Sequence, residues 1–197
     1  MAVESEIKSQ TNSIAAPEHE IILVRTPEER QQCYDVRIEV FHVEQNFPLE
    51  TEIDERVLFL FFSLRTNAAH FLLRSTPSLT PIGTIRACRG KNYYKLTRLA
   101  ILKDYRKYHF GAALVRFMHS WVARDAVQDP DVNAPPPASV NIVCHSQIPV
   151  KGFYAKFGYI SEGDEFDEDG DPHQKMVLRL PIGSGLSTAE SSLRPSS

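Results

Sequence analysis

Residues 96–115 (LTRLAILKDYRKYHFGAALV) constrain the fold of this sequence more than any other stretch. An apolar strand runs into a short charged turn, and a helix then begins at Gly111 with apolar residues at helical spacing. The first turn of a helix has free backbone N–H groups and the positive end of the helix dipole, which together suit a phosphate group. Arg106 and Lys107 add positive charge beside that turn. The segment predicts either a phosphate-binding strand–turn–helix unit or an ordinary connection of the same shape.

Composition and charge exclude several classes of protein. The chain has 197 residues, 42% of them hydrophobic, which is enough for one buried core. It carries 22 Lys and Arg against 25 Asp and Glu, a balance that argues against a nucleic-acid-binding surface. The longest apolar run, VLFLFF at 57–62, is far shorter than the roughly 20 residues that span a membrane. Three widely separated cysteines form no disulfide framework. We expect a cytoplasmic protein, with the nucleus as the alternative location.

Apolar runs and turn signals predict one mixed domain over residues 20–181. The polar stretches 1–19 and 182–197 are predicted to be disordered tails. Predicted strands cover residues 20–25, 57–64, 69–73, 81–88, 95–102, 140–144 and 175–180. Predicted helices cover residues 27–43, 111–126 and 150–157, and a proline-rich loop covers 129–138. This order fits an α/β or α+β sheet with helices on both faces.

Two motifs resemble the acetyl-CoA-binding core of the GNAT superfamily of N-acetyltransferases. Its members carry a strand, then [QR]-x-x-G-x-[GA], then a helix, and this chain has RKYHFG at 106–111 with that spacing. His109 replaces the first glycine of the motif, and a histidine can hold the left-handed backbone conformation that glycine supplies there. The segment FYAKFGY at 153–159 resembles the FYxxxGF sequence near the end of many members.

Two further motifs resemble the ElaA-like branch of that superfamily. They are RIEVFHVEQ at 37–45, followed by Glu50, Glu52 and Asp54, and GDEFDEDGDPH at 163–173. The resemblance, which covers residues 20–180, implies a GNAT-like α/β (α+β) fold with a central mixed, mostly antiparallel sheet. That sheet is expected to splay between strands four and five and to carry helices on both faces. Residues 55–69 make a longer connection than this branch usually has, and are either an extra strand or hairpin or translated intron sequence.

The resemblance also implies the reaction and the residues that bind the donor. The expected function is transfer of an acetyl group from acetyl-CoA to a primary amine, of a small molecule, by direct attack in a ternary complex, without a metal. The pantetheine arm would pair with the backbone of Leu99, Ala100 and Ile101. The pyrophosphate would lie on the loop that contains Arg106, Lys107, His109, Phe110, Gly111 and Ala112. Tyr154 would protonate the leaving thiolate, which a phenol of pKa about 10 can do.

Three residues are candidates for the general base, the group that accepts a proton from the amine. Lys95 stands where some members have a carboxylate on strand four, and a charged lysine cannot accept a proton. Glu44 is the first candidate because it lies at the helix end expected to cover the acceptor site. His145 is the second, since imidazole titrates near neutrality, and His173 is the third. The predicted contacts to the acceptor are Arg37, Gln45, His145, Gln147 and His173.

Seven acidic residues between 161 and 173 allow several interpretations. A calcium-binding EF-hand loop is rejected because Met176 stands where that loop needs glutamate. The run is either a solvated hairpin or a negative rim that attracts a cationic acceptor. Two other functions remain open at this stage, a protein acetyltransferase for lysines or N-termini and a non-catalytic acyl-CoA sensor. Pairing of two copies through exposed sheet edges is left open as well.

Overall fold

The structure is a computed structural model that describes residues 15–49, 68–128 and 137–182. The strands are β1 (His19–Leu23), β2 (Ala68–Ser75), β3 (Pro81–Arg89), β4 (Tyr93–Ile101), β5 (Ser139–Gln147), β6 (Ile160–Glu168) and β7 (Asp171–Pro181). The α-helices are α1 (Pro27–Arg37), α2 (Phe110–Asp125) and α3 (Lys151–Ala155). The strand predicted at 57–64, nearly all of the loop predicted at 129–138 and most of the two predicted tails lie outside the described residues.

The described strands form one sheet in the order β1-β2-β3-β4-β5-β7-β6. Every neighbouring pair is antiparallel except β4 and β5, which are parallel. The parallel pairing runs only from Tyr93 opposite Asn141 to Leu96 opposite Cys144, so β5 pairs with only the first four of the nine residues of β4. The expected mixed sheet with a splay between its fourth and fifth strands is confirmed.

Helix α1 begins where its sequence predicts. The Thr26 side chain accepts a hydrogen bond from the Glu29 backbone N–H, the Glu29 carboxylate accepts one from the Thr26 N–H, and Pro27 occupies the first turn. This arrangement is a capping box, and it satisfies backbone donors that a helix otherwise leaves free. Beyond Arg37 the backbone continues as a wider π-helical segment, Ile38–Glu44. The helix predicted over 27–43 is therefore present, with a change of pitch near its end.

Helices α1 and α2 pack on opposite faces of the sheet. Val36 and Val40 on the α1 side form a buried cluster with Ala100. Leu114 on α2 belongs instead to the main core, which includes Ile101. Neighbouring residues of a strand point to opposite faces of the sheet. Ala100 therefore points to the α1 face and Ile101 to the α2 face. The expected placement of helices on both faces is confirmed. No helix in the described part of the chain is long and apolar enough to cross a membrane.

Strands β6 and β7 form a hairpin, of which only the second strand is among the predicted strands. Asp169 and Gly170 both have positive φ, 59° and 88°, between the paired residues Glu168 and Asp171. This is the backbone of a two-residue turn that Asp-Gly sequences favour. Most side chains of β6 are exposed. The solvated-hairpin interpretation of the acidic run therefore describes its structure.

Candidate active site

A bulge in β4 produces the splay. Thr84 pairs with Ala100, whereas Arg86 pairs with Thr97, so β4 has one residue more than β3 in this interval. Arg98 lies inside the bulge with φ of 54°, a left-handed conformation that is uncommon outside glycine. A bulge bends its strand and increases the local twist. The bend follows directly after the last pairing of β4 with β5, at Leu96.

A cleft of about 750 Å³ lies at this splay. It reaches both faces of the sheet, since Val40 and Phe41 line it from the α1 side and Phe153 and Tyr154 line it from the α2 side. The predicted donor-site residues that line it are Leu99, Ala100, Ile101, Arg106, His109, Gly111 and Ala112. The predicted acceptor-side residues that line it are Gln45, His145, Gln147 and His173. One cleft thus brings together most residues of the two expected sites.

Four predicted site residues do not line the cleft. Arg37 is 1% exposed, and its guanidinium lies 4.9 Å from the ring centre of Tyr34. Phe110 is buried, and its ring packs 5.6 Å from that of Tyr108. The Lys107 ammonium lies 5.1 Å from the Tyr108 ring centre. The fourth is Glu44. The predicted contact of Arg37 with the acceptor remains a prediction.

The loop before α2 has the shape that its motif predicts. A 3₁₀ helix, Lys103–Tyr108, ends at His109, whose φ of 59° and ψ of 22° are left-handed, and α2 begins at the next residue. The histidine therefore holds the backbone that the usual glycine supplies. At Gly111 an added Cβ would lie 3.6 Å from the Phe153 ring and 3.8 Å from Ile101, which is ordinary contact. Packing within the protein does not require glycine there.

Arg106 connects the loop to two other elements. Its Nε donates a 2.9 Å hydrogen bond to the backbone carbonyl of Ile101, at the end of β4. Its two terminal nitrogens donate to both carboxylate oxygens of Glu44, at 2.6 Å and 2.5 Å. Hydrogen bonds from Arg106 hold the pKa of Glu44 below its ordinary value. The first candidate for the general base is thus bound to the arginine of the predicted phosphate loop, and it is a weaker base than a free carboxylate.

Tyr154 lies in α3 and is 8% exposed. Burial raises the pKa of its phenol well above the ordinary value. Its ring packs 5.2 Å from Phe153 and 5.7 Å from Tyr159, and no side chain or backbone group in the described ranges hydrogen-bonds its hydroxyl. Tyr154 therefore keeps its proton at neutral pH, and its side chain lines the cleft.

His145 belongs to a charged cluster on the other side of the cleft. Its Nδ1 lies 3.0 Å and 3.1 Å from the two carboxylate oxygens of Glu168 on β6, and 3.3 Å from the Lys95 ammonium on β4. The Phe166 ring packs edge-on against the imidazole at 4.9 Å between centres. No pattern in the sequence identified Glu168 as a partner of His145. The Asp-Gly turn could have indicated it, because it fixes the register that places β6 beside the cleft.

Gln45 and Gln147 approach each other beside the cleft, with 3.4 Å between the Gln147 Nε2 and the Gln45 Oε1. His173, also at the cleft, is 8% exposed and shares a 2.9 Å hydrogen bond between its Nδ1 and the Asp171 carbonyl.

Of the acidic run, only Glu168 and Asp169 line the cleft. Glu165 lies 3.8 Å from Lys151, and Glu162 pairs with Lys175. Nearby lysines therefore offset part of the negative charge. In the described part of the chain no group of three or more His, Cys, Asp or Glu side chains is arranged to hold a metal ion.

A comparison with family models finds an acetyltransferase (GNAT) domain over residues 62–180. The chain belongs to the GNAT family. The Bacillus subtilis protein YyaT is 30% identical over 157 residues, which cover 80% of this chain and 93% of YyaT. As a GNAT protein, the chain is an N-acyltransferase, and enzymes of this family use an acyl-CoA as donor.

Solved structures of other GNAT proteins share the fold. A Lactobacillus plantarum structure described as an N-acetyltransferase superposes with a TM-score of 0.66 at 22% identity, over 83% of this chain and 99% of the other. Escherichia coli ElaA superposes with a TM-score of 0.62 at 20% identity, over 81% of this chain and 97% of ElaA. At these identities the two structures establish the common fold.

Proposed function

We propose that this GNAT protein transfers an acetyl group from acetyl-CoA to the primary amine of a small molecule, by direct attack within a ternary complex. The observation that carries the proposal is the cleft at the β4–β5 splay. It joins the loop before α2 and the open end of β4 to Tyr154 on one side and to His145 and Gln147 on the other.

The residues of the cleft fit the donor chemically. A pyrophosphate is matched by the first turn of the 16-residue helix α2 and by the nearby Arg106 and Lys107. Gly111 leaves room for close approach to the backbone. Beyond Leu96, where its pairing with β5 ends, the backbone of β4 is proposed to pair with an amide-containing arm as an added strand.

The reaction needs one proton delivered and one removed. The amine nitrogen attacks the thioester carbonyl, so that a C–N bond forms and the C–S bond breaks. Tyr154 donates its phenolic proton to the departing sulfur and regains a proton from solvent. The nitrogen gives up its remaining extra proton to solvent. From a neutral amine the net products are an amide and a free thiol, and an acceptor that enters as an ammonium releases one additional proton.

The acceptor is proposed to be small because of the approach of Gln45 to Gln147. These side chains connect the end of the α1 extension with the end of β5, at 3.4 Å. A polypeptide acceptor needs an open groove at that position, whereas a small amine does not.

Calorimetric titration with acetyl-CoA, followed by a thiol-release assay on a panel of amines, tests the proposal. Suitable acceptors are spermidine, tyramine, histamine and a lysine-containing peptide. We expect micromolar binding of acetyl-CoA and turnover with small amines but not with the peptide. Tyr154→Phe is expected to lower kcat about 100-fold with unchanged acetyl-CoA affinity. Tyr93→Phe, which removes a hydroxyl from a half-exposed residue outside the cleft lining, is the matched control.

Three outcomes would contradict the proposal. Absence of acetyl-CoA binding would mean that the protein has the GNAT fold without a working donor site. Binding without turnover of any amine, together with an unaltered Tyr154→Phe variant, would favour a non-catalytic acyl-CoA sensor. Preferred acetylation of the peptide would favour a protein acetyltransferase.

A further inference from the structure

The cluster of His145, Glu168 and Lys95 brings three elements together at one point of the cleft. His145 and Glu168 both line it, and so does Lys95. His145 lies on β5 one residue beyond Cys144, the last position that pairs with β4. Its side chain is 26% exposed, so it is neither buried in the core nor freely solvated.

The hydrogen bonds of His145 define which ring nitrogen can accept a proton. Both oxygens of Glu168 are closer to Nδ1 than the Lys95 ammonium is, at 3.0 Å and 3.1 Å against 3.3 Å. A carboxylate only accepts hydrogen bonds, so the Nδ1 facing it carries the proton and donates. In a neutral imidazole this assignment leaves Nε2 unprotonated. Lys95, 3.9 Å from a Glu168 oxygen, partly offsets the carboxylate charge.

We propose that His145 is the general base of the reaction and that Glu168 is a positioning residue that fixes its tautomer. This assignment rests on the proposed function. An alkylammonium has a pKa near that of lysine, about 10.4, and is therefore almost entirely protonated at neutral pH. Nε2 of His145 takes one proton from the ammonium, which leaves the nitrogen lone pair free to form the C–N bond. The imidazolium then returns its proton to solvent.

The other two candidates are less well placed for this step. Glu44 does not line the cleft, and both of its oxygens accept hydrogen bonds from Arg106. His173 lines the cleft but is nearly buried, and its Nδ1 is bonded to the Asp171 carbonyl. His145 alone among the three combines cleft exposure with a carboxylate partner for its second nitrogen.

Other charged groups lie around His145. On β7, Lys175 is its register partner and is paired with Glu162. The remaining titratable or charged residues that line the cleft are Arg86, Arg98, Arg106, His109, Tyr154, Asp169 and His173. A pH profile of the intact enzyme therefore needs single-residue variants for its assignment.

The test compares pH profiles of kcat/KM, using the amine with the highest turnover in the panel above. His145→Asn keeps an N–H for Glu168 at about the position of Nδ1 but has no titratable nitrogen. We expect this variant to lose about 100-fold in kcat/KM and to lose the acid-side break of the profile. Its acetyl-CoA Kd and melting temperature should match those of the wild type, which excludes misfolding as the cause.

Glu168→Gln separates positioning from base chemistry. We expect it to lower kcat about tenfold without changing the KM for acetyl-CoA, and the double variant with His145→Asn to be no slower than His145→Asn alone. Glu44→Gln should change the KM for acetyl-CoA while keeping the acid-side break. The inference is overturned if the break persists in His145→Asn or disappears in Glu44→Gln. Failure of the proposed function would look different, as a wild type without turnover.

Discussion

Arg106 binds both oxygens of Glu44 across 62 residues of sequence. The pair connects the end of the π-helical segment after α1 to the loop that precedes α2. Because the same guanidinium also bonds the Ile101 carbonyl, three elements around the cleft meet at one side chain. A bound phosphate and Glu44 would compete for this arginine.

Glu44→Gln is expected to tighten acetyl-CoA binding about threefold, because it removes a negative charge beside a site for phosphate. Calorimetry at low ionic strength measures the effect, and added salt should reduce it. Glu39→Gln, on the same π-helical segment and without a bond to Arg106, is the matched control. Weaker binding by Glu44→Gln would indicate that Glu44 holds Arg106 in its binding position.

The Glu44–Arg106 pair also predicts a pH dependence of stability. The folded-state pKa of Glu44 lies below its unfolded value, so the pair stabilises the fold above the unfolded pKa of about 4.3. That contribution is lost as pH falls through the lower, folded pKa. With side chains 33% and 41% exposed, the pair contributes at most about 1 kcal/mol. Urea unfolding of wild type and Glu44→Gln should differ at pH 7 and converge in strong acid, and a constant difference would refute the linkage.

Gly111→Ala is expected to leave the fold intact and to weaken acetyl-CoA binding at least tenfold. The added methyl meets only ordinary contacts within the protein and improves helix propensity by up to about 1 kcal/mol. It would, however, occupy space at the helix end where a phosphate approaches the backbone. Calorimetry and thermal unfolding measure the two effects separately. The control is Gly152→Ala in α3, where an added Cβ meets nothing within 4 Å. Unchanged acetyl-CoA affinity in Gly111→Ala would show that the loop before α2 does not belong to the donor site.

The left-handed backbone conformation of His109 predicts how substitutions at this position rank in their free energy of unfolding. A left-handed conformation costs a non-glycine residue about 1–2 kcal/mol, and β-branched residues tolerate it least. His109→Gly should therefore be at least as stable as wild type, although the greater flexibility of unfolded glycine offsets part of the gain. His109→Val should be destabilised by about 1–2 kcal/mol. Urea denaturation gives the order, and a stable His109→Val would show that the loop adopts another conformation.

His119 predicts a loss of stability in mild acid. Its Nε2 hydrogen-bonds the Tyr159 hydroxyl at 2.9 Å, and burial lowers the pKa of the imidazole to about 4. Because the folded pKa is below the unfolded value of about 6.5, the unfolded chain binds the proton first as pH falls. Stability should decline between pH 6.5 and 4 by an amount on the order of 3 kcal/mol.

The variant His119→Gln provides the comparison for this titration. Glutamine can still bond the Tyr159 hydroxyl but does not titrate, so the decline between these pH values should become shallower. Equal slopes in wild type and His119→Gln would assign the acid sensitivity to other groups.

The sequence predicted the parts of the fold that depend on local patterns. The start of α1 at residue 27 was predicted, and the motif around Gly111 predicted the β4–α2 connection. Strand β6 was not predicted because its acidic side chains are nearly all exposed and show no alternation of apolar and polar residues. Without that strand, no pattern placed Glu168 beside His145.

Residues that meet around the site but lie far apart in the sequence were not predicted as pairs by any local sequence pattern either. Glu44 and Arg106 were singled out separately, one as a base and one as a phosphate contact, since spacing alone does not show that two side chains meet. Arg37 was predicted to contact the acceptor from its motif, and its burial follows from the packing of α1 on the sheet. These contacts form only in the folded chain, where the bulge at Arg98 and the register of β6 with β7 fix the positions of the elements around the cleft.

The bulge at Arg98 gives the sheet an opening rather than a pocket on one surface. Under the proposed function, such a slot provides separate entrances for the two substrates, the acyl-CoA from the α2 face and the amine from the α1 face. Each product then leaves by the entrance of its precursor. Both substrates can be bound at the same time, and the acetyl group passes from one to the other without a covalent intermediate on the protein.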